Sequence, residues 1–320
     1  MAAPETPKTP KPTEATETTG TAGTPETPET PETRWQARAE VSGRAAGRPA
    51  RRRLLALGTL AVLVTAVLLV PLFAQLDQQL VDLRSAGRPP SWAHPFGTDE
   101  VGRDVLLRSI YGLRVSLLVG LTAALVSVVI GGLVGLLAGA AGGVVDRLLM
   151  RIVDGFNSLP HLLFGIFIVA LFAPSATAVV VSVAVTHWTT AARIVRSEVL
   201  SLRGRPFVDA AISGGSSRAR IVHRHFLPNL APHLLLATVL MVPHAIWHET
   251  ALSFLGLGLP AHLASLGNMI NDGQRSLLAG DWWSSLFPGL LILLPTLAIS
   301  ALAQHLRDRS NPRHRSELTL

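Results

Sequence analysis

Asp209-Ala210-Ala211-Ile212-Ser213-Gly214-Gly215, running on through Ile221 to Leu227-Pro228-Asn229, is a polar, arginine-bearing island between two long apolar runs. Pro206 can open a helix there, because its missing N–H is one of the orphan donors of a first turn and its φ is already near the helical value. From that start Phe207, Ala210, Ala211 and Gly214 fall at i, i+3, i+4 and i+7, one helical face of small residues behind a single aromatic. Small side chains let a partner surface come close, and the aromatic is a rigid anchor of the kind that carries interface energy. The same pattern suits an amphipathic helix lying on lipid headgroups, and the pattern alone leaves both open.

The flanking runs identify the solvent. At 320 residues, 48% hydrophobic and 5% aromatic, the chain is too apolar and too poor in charge for an ordinary soluble domain. Its net charge is +7, but the 28 Lys and Arg cluster beside apolar runs and form no single basic face with interleaved aromatics, so they read as topology signals and not as a nucleic-acid site. With no cysteine there is no disulfide framework, thiolate metal site or cysteine nucleophile.

Outward from the island the chain divides into three parts. Residues 1–43, rich in Pro, Thr and Glu, have nothing to bury and are expected to be a disordered cytoplasmic tail. Residues 44–305 form the membrane domain, with spans expected at about 54–73, 115–141, 149–172, 176–194, 233–257 and 283–302, and 306–320 are a C-terminal cytoplasmic tail. The first run, Leu54 to Phe73, follows Arg51-Arg52-Arg53 like a twin-arginine signal, but its 20 uncharged residues exceed a signal core and no small-x-small site follows. The third and fourth spans are separated only by Ala173-Pro174-Ser175; a single helix of 46 residues would overshoot any bilayer. Arginines crowd the N-terminal flank, the loop after span four and the C-terminus, which puts all three and both termini in the cytoplasm. The loop after span one is the exception, with Arg84, Arg88, Arg103, Arg108 and Arg114 facing outward.

With Gly215 six residues after Asp209, Ile221 six after that, and Leu227-Pro228 closing the stretch, the island resembles the EAA signature of bacterial ABC-importer permeases. In that family the segment, here 206–229, is the coupling helix that seats on the ATPase subunit. The resemblance thus implies a coupling role for Phe207, Asp209, Ala210, Ala211, Gly215, Ile221, Leu227 and Pro228. Asp209 stands where the family has Glu, and Gly214 where it has a larger apolar residue, a change that could cost the helix up to about 1 kcal/mol relative to Ala.

Further blocks extend the resemblance to the peptide and nickel subfamily, in its second permease partner. His94-Pro95-Phe96-Gly97-Thr98-Asp99-Glu100-Val101-Gly102-Arg103-Asp104 is similar to that subfamily's external loop, and Glu249 to Gly258 matches its block at the end of span five. The connection from Gly142 to Asp154, and Trp282-Trp283 with Phe287-Pro288-Gly289, match two more; Leu266 and Ala303-Gln304-His305 depart from the pattern. Read physically, Gly97 and Gly102 mark tight turns, and Thr98 with Asp99 can cap a helix beginning near Val101. Turn and cap chemistry accounts for His94, Thr98, Asp99, Arg103 and Asp104 without a metal. His248-Glu249, with His244 one turn earlier, and His187-Trp188 lie inside apolar spans, where ionisable residues are candidates for the translocation path or its gate. The competing reading of Glu249 is a hydrogen bond that only fixes span five.

The resemblance therefore implies an all-α, six-span permease subunit of a binding-protein-dependent importer of dipeptides, oligopeptides or nickel in a bacterial cytoplasmic membrane. Its partners are a homologous permease, two ATP-binding subunits, an extracytoplasmic solute-binding protein and the bilayer. No phosphate loop or nucleophile constellation is present, so neither ATP hydrolysis nor a cofactor is expected of this chain. An ion-coupled transporter, which calls for inverted repeats and broken midplane helices, or a membrane sensor, is the alternative.

Overall fold

The computed structural model describes residues 31–77 and 81–310, with side chains over 51–77 and 81–307. It divides into two units, Met1–Arg48 and Pro49–Leu320. In the first, the expected disorder of 1–30 lies outside the described residues, as does the end of the C-terminal tail from 311. Helix α1, Pro31–Phe73, corrects the remainder of the tail expectation: 31–43 are helical in backbone. Gln36-Ala37-Arg38-Ala39-Glu40 are all strong helix formers, and local propensity outweighs tail-like composition there.

The second unit is built from the membrane part of α1 and from α2 (Val105–Ala141), α3 (Gly143–Asn157), α4 (His161–Ala170) and α5 (Ala176–Arg203). The island follows as α6 (Pro206–Ser213) and α7 (Arg218–Ile221), a π turn leads into α8 (Leu227–Phe254), and α9 (Leu266–Ser276) and α10 (Trp283–Ser310) complete it. Among the described residues five helical stretches are long and apolar enough to cross a membrane: Arg51–Phe73, Val105–Ala141, Ala176–Arg203, Arg218–Phe254 and Trp283–Arg307. The span expected at about 149–172 is broken, because α3 and α4 meet at an 85° bend. Pro160 causes it: it has no N–H to continue the ladder and disfavours helical backbone in the residue before it.

The broken pair nevertheless makes a crossing, as the packing of α2 on α5 requires. A Cβ added at Gly131 would meet the Trp188 carbonyl oxygen at 2.2 Å, one at Gly135 the Ala192 oxygen at 2.3 Å, and one at Gly139 the Val199 side chain at 2.7 Å. These glycines let the two backbones approach as small residues do in membrane bundles. Their order also shows that α2 and α5 run parallel, so the chain must return between them. It does so along α5, with Asp146 on Arg196, Asn157 on Thr189, His161 on His187, and Ser182 on Gly165. From Arg196 to Ser182 alone is about 21 Å at 1.5 Å per residue. Counting this return, the described residues provide six crossings.

Helix α8 runs back against α2, with Leu234 near Gly132, Ile246 near Gly120 and Glu249 bonded to Ser116. Leu63 and Val67 of α1, Leu113 and Ala124 of α2, Met241 and Ile246 of α8, and Ile292 of α10 form the largest shared core. Outside it, a belt of exposed Leu and Val on α1, α2 and α10 is the surface expected of helices in lipid. Helix α9, absent from the sequence reading, begins at the cap Ser265, whose side chain accepts from the Asn268 N–H, and buries Leu266 and Met269. The departure at Leu266 is thereby absorbed into the core, where it is 0% exposed.

Candidate functional site

At the Val105 end of α2 the 94–104 motif closes on itself. Asp104, not Thr98 or Asp99, caps the helix, accepting from the Leu107 N–H at 2.8 Å, and the helix starts at Val105 instead of near Val101. Its other oxygen meets His94 Nδ1 at 2.8 Å. The Thr98 hydroxyl donates to the Ser85 carbonyl, and its own carbonyl accepts from Trp283 Nε1 at 3.0 Å. Asp99 is the hub: it accepts from the Val101 and Arg103 N–H groups, from Arg103 Nε at 2.8 Å and from Arg108 Nη1 at 2.6 Å. Arg108 is 2% exposed, and Asp272 of α9 lies 3.7 Å from its Nη2. Burial pushes the Asp272 carboxyl above its usual range against the pull of Arg108 and Arg103. Gly97 and Gly102 both have positive φ, as their turns require. Among the described residues no group of three or more ligand-type side chains could hold a metal. Two of the arginines that run against the charge rule in the expected topology, Arg103 and Arg108, are thus neutralised inside the fold.

The island sits at the opposite end of α2, about 55 Å along its axis. Val208, Ile221 and Phe226 are its roots, buried with Val195, Val199, Leu202 and Leu230. Val208 anchors the segment although the sequence reading did not single it out, and Ile221, at 7% exposure, is buried against the bundle. Outward stand Phe207 at 43% and Ile212 at 56% exposure, with Asp209, Ala210, Gly214 and Gly215 also exposed and Ala211 half-buried. Leu227 and Pro228 are exposed at the start of α8. Gly214 carries no helix penalty, because α6 ends at Ser213 and Gly214 is its C-cap, donating to the Ala210 carbonyl. Gly215 follows at φ +77°, and nothing lies within 4 Å of where its Cβ would be. Between α6, α7 and the ends of α2 and α5 lies a cavity of about 420 Å³ bordered by Arg203, Asp209 and Arg218. Ser217 caps α7 through the Arg220 N–H.

In the middle of the bundle the structure separates Glu249 from the histidines beside it in sequence. Glu249 is 0% exposed and accepts from Ser116 Oγ at 2.6 Å and Ser253 Oγ at 2.9 Å, while Ser253 Oγ also accepts from the Leu259 N–H. It ties α8 to α2 and to the loop before α9. His187 and His248 come together, with ring centroids 4.5 Å apart, and His161 lies 5.3 Å from His187. Trp188 packs its ring on Phe156 at 5.4 Å and is buried in the α3–α5 contact. The sequence reading missed His161 because only the bend at Pro160 brings it to α5.

Comparison with known proteins is consistent over most of this architecture. Residues 131–315 match the family described as binding-protein-dependent transport system inner membrane component. The dipeptide transport system permease protein DppC of Bacillus subtilis is 40% identical over 227 residues, 71% of this chain and 71% of that protein. The oligopeptide transport system permease protein OppC of Escherichia coli K12 is 40% identical over 285 residues, 86% of this chain and 94% of its own length. OppC of Bacillus subtilis is 35% identical over 268 residues, covering 83% and 88%. A chain from a crystal structure of an amino acid ABC transporter superposes over 63% of this chain and 94% of its own length, at 18% identity and a TM-score of 0.49.

Proposed function

The chain belongs to the family of binding-protein-dependent transport system inner membrane components, and from that premise we propose that it is the second permease subunit of a peptide importer. Peptide is the solute because the relatives that cover most of the chain are named for dipeptide and oligopeptide transport. Family membership also sets aside the ion-coupled alternative, although the break at Pro160 is a feature that alternative asked for. A homologous permease, two ATP-binding subunits and an extracytoplasmic binding protein complete the assembly. The end of the bundle carrying α6 is cytoplasmic: Arg203 and Arg218 border the cavity there and Arg220 stands on α7, while Arg103 and Arg108 at the other end are paired within the fold.

The observation that supports the coupling role is the division of the island into a buried root and an unfilled outward face. Val208 and Ile221 hold α6 rigidly to α5 and α8, so a force on Phe207, Ala210, Ala211 or Ile212 is transmitted to the helices that cross the membrane. An exposed Phe and Ile on an eight-residue helix in the aqueous phase form an apolar surface that a partner covers. Glu249 is assigned to holding the outer half of α8 and not to the path. In proteoliposomes holding the whole complex, Ala211→Trp and Gly215→Trp should each abolish peptide uptake and peptide-stimulated ATP hydrolysis at normal membrane abundance. Full uptake in both would remove the coupling role and favour a helix that rests on headgroups.

A further inference from the structure

Four of the 11 histidines gather where the third crossing breaks. His161 is the first residue of α4, His187 lies near the middle of α5, and His244 and His248 are one turn apart on α8. The His187 ring stands edge-on to both His161 and His248, at interplanar angles of 71° and 86°. Three helices converge here, and the 85° bend delivers one of the rings.

The hydrogen-bonding capacity of these rings is only partly used. His187 Nδ1 is engaged by the Thr186 hydroxyl at 2.8 Å and the Val183 carbonyl at 3.2 Å. His248 Nδ1 is buried without a hydrogen-bond partner. Glu249, the neighbouring acid, is committed to Ser116 and Ser253. Among the described residues the cluster is not a set of converging metal ligands. His244 is exposed although it lies within the stretch Arg218–Phe254. Polar side chains on a membrane span face the bundle interior or a water-filled cavity, because hydrocarbon satisfies none of their hydrogen bonds. The His244 face of α8 therefore borders water or another transporter chain and not lipid.

We infer that His161, His187, His244 and His248 form a hydrogen-bonding station on the wall of the translocation path, where the backbone of a passing peptide is met at mid-membrane. A neutral imidazole offers one N–H donor and one acceptor, the same pair that each peptide unit presents. A row of such groups grips any peptide without reading its side chains, which suits a permease whose selection is made earlier, by the binding protein. The inference rests on the peptide-permease reading above and adds to it the surface the solute touches.

The chain has no cysteine of its own, so a single His244→Cys can be labelled within the complete transporter. During ATP-driven turnover a charged, membrane-impermeant methanethiosulfonate should add to that thiol, read as a mass increase of this chain, and saturating peptide should slow the reaction. Leu121→Cys, on the exposed apolar flank of α2, should stay unmodified. In uptake assays His187→Phe and His248→Phe should each raise KM about two- to tenfold, the range one hydrogen bond is worth, and the Gln variants should recover part of that loss. An inert thiol throughout turnover, or unchanged KM in both Phe variants, overturns the inference. Failure of the peptide reading is separable, since then no peptide stimulates hydrolysis by the unsubstituted complex.

Discussion

Two glycine turns near opposite ends of α2 are alike in backbone and opposite in surroundings. At Gly102, φ is +84° and a Cβ would lie 1.9 Å from the Asp82 carbonyl oxygen; at Gly215, φ is +77° and the space is open. Around Gly102 almost every polar group is already bonded, with Asp99 alone satisfying two backbone N–H groups and two guanidinium groups. Around Gly215, Phe207, Asp209, Ala210 and Ile212 of α6 stand exposed, while Val208 alone is buried. A motif that satisfies its own hydrogen bonds is architecture, whereas one that leaves Phe207 and Ile212 uncovered has the open apolar face that the coupling role proposed above requires. Both motifs stand out equally in the sequence, and only their surroundings tell them apart.

The contrast is sharpest where substitutions are expected to act most strongly. Gly102→Ala should cost more than about 4 kcal/mol, the range of severe steric and strain defects, and leave little monodisperse protein in size-exclusion chromatography; a well-behaved variant would break the comparison. Arg108→Met, which strands the buried Asp99 with one guanidinium partner, should cost about 3 kcal/mol, seen as a lowered Tm in detergent. Glu249→Gln keeps the shape but turns one acceptor into a donor facing a serine, a loss of about 1 kcal/mol in the same melting assay. If that variant kept its Tm and lost uptake, Glu249 would return to the path. No larger than that, Gly215→Ala meets no atom and pays only left-handed strain, about 1 kcal/mol; a drop in Tm as large as that of Gly102→Ala would show that the two turns are not different in kind.

Much of this was legible in the sequence for identifiable reasons. Five crossings announce themselves because an unbroken apolar run over a bilayer's width has few other uses, and Asp209, Gly215, Ile221 and Leu227 are legible through their spacing. The third crossing is less legible. Its hydropathy averages over a bend set by one residue, Pro160, and α3 carries Asp146, Arg147, Arg151 and Asp154 on the half taken for loop and span start. Helix α9 was hidden because its apolar positions, Leu266, Met269 and Ile270, are spread across a polar connection, although Ser265 was available as a cap signal. Within the island the outward and inward faces were partly exchanged: Ile221 fits the family spacing but buries, and Val208, unremarked in the pattern, is the anchor. Glu249 was ambiguous for a deeper reason, since a carboxylate held by two serines and one lining a path look the same until their neighbours are known.

The coupling role proposed for α6 requires its open face to be covered by the ATPase. Ala210→Cys, the single thiol in this chain, treated with a short bismaleimide in membranes containing the whole transporter, tests it directly. A covalent adduct between this chain and the ATP-binding subunit is predicted, its yield changing when ATP is added, while Glu100→Cys, at the opposite end of α2, gives none. An Ala210→Cys transporter that takes up peptide normally yet forms no adduct with the ATPase would contradict the account.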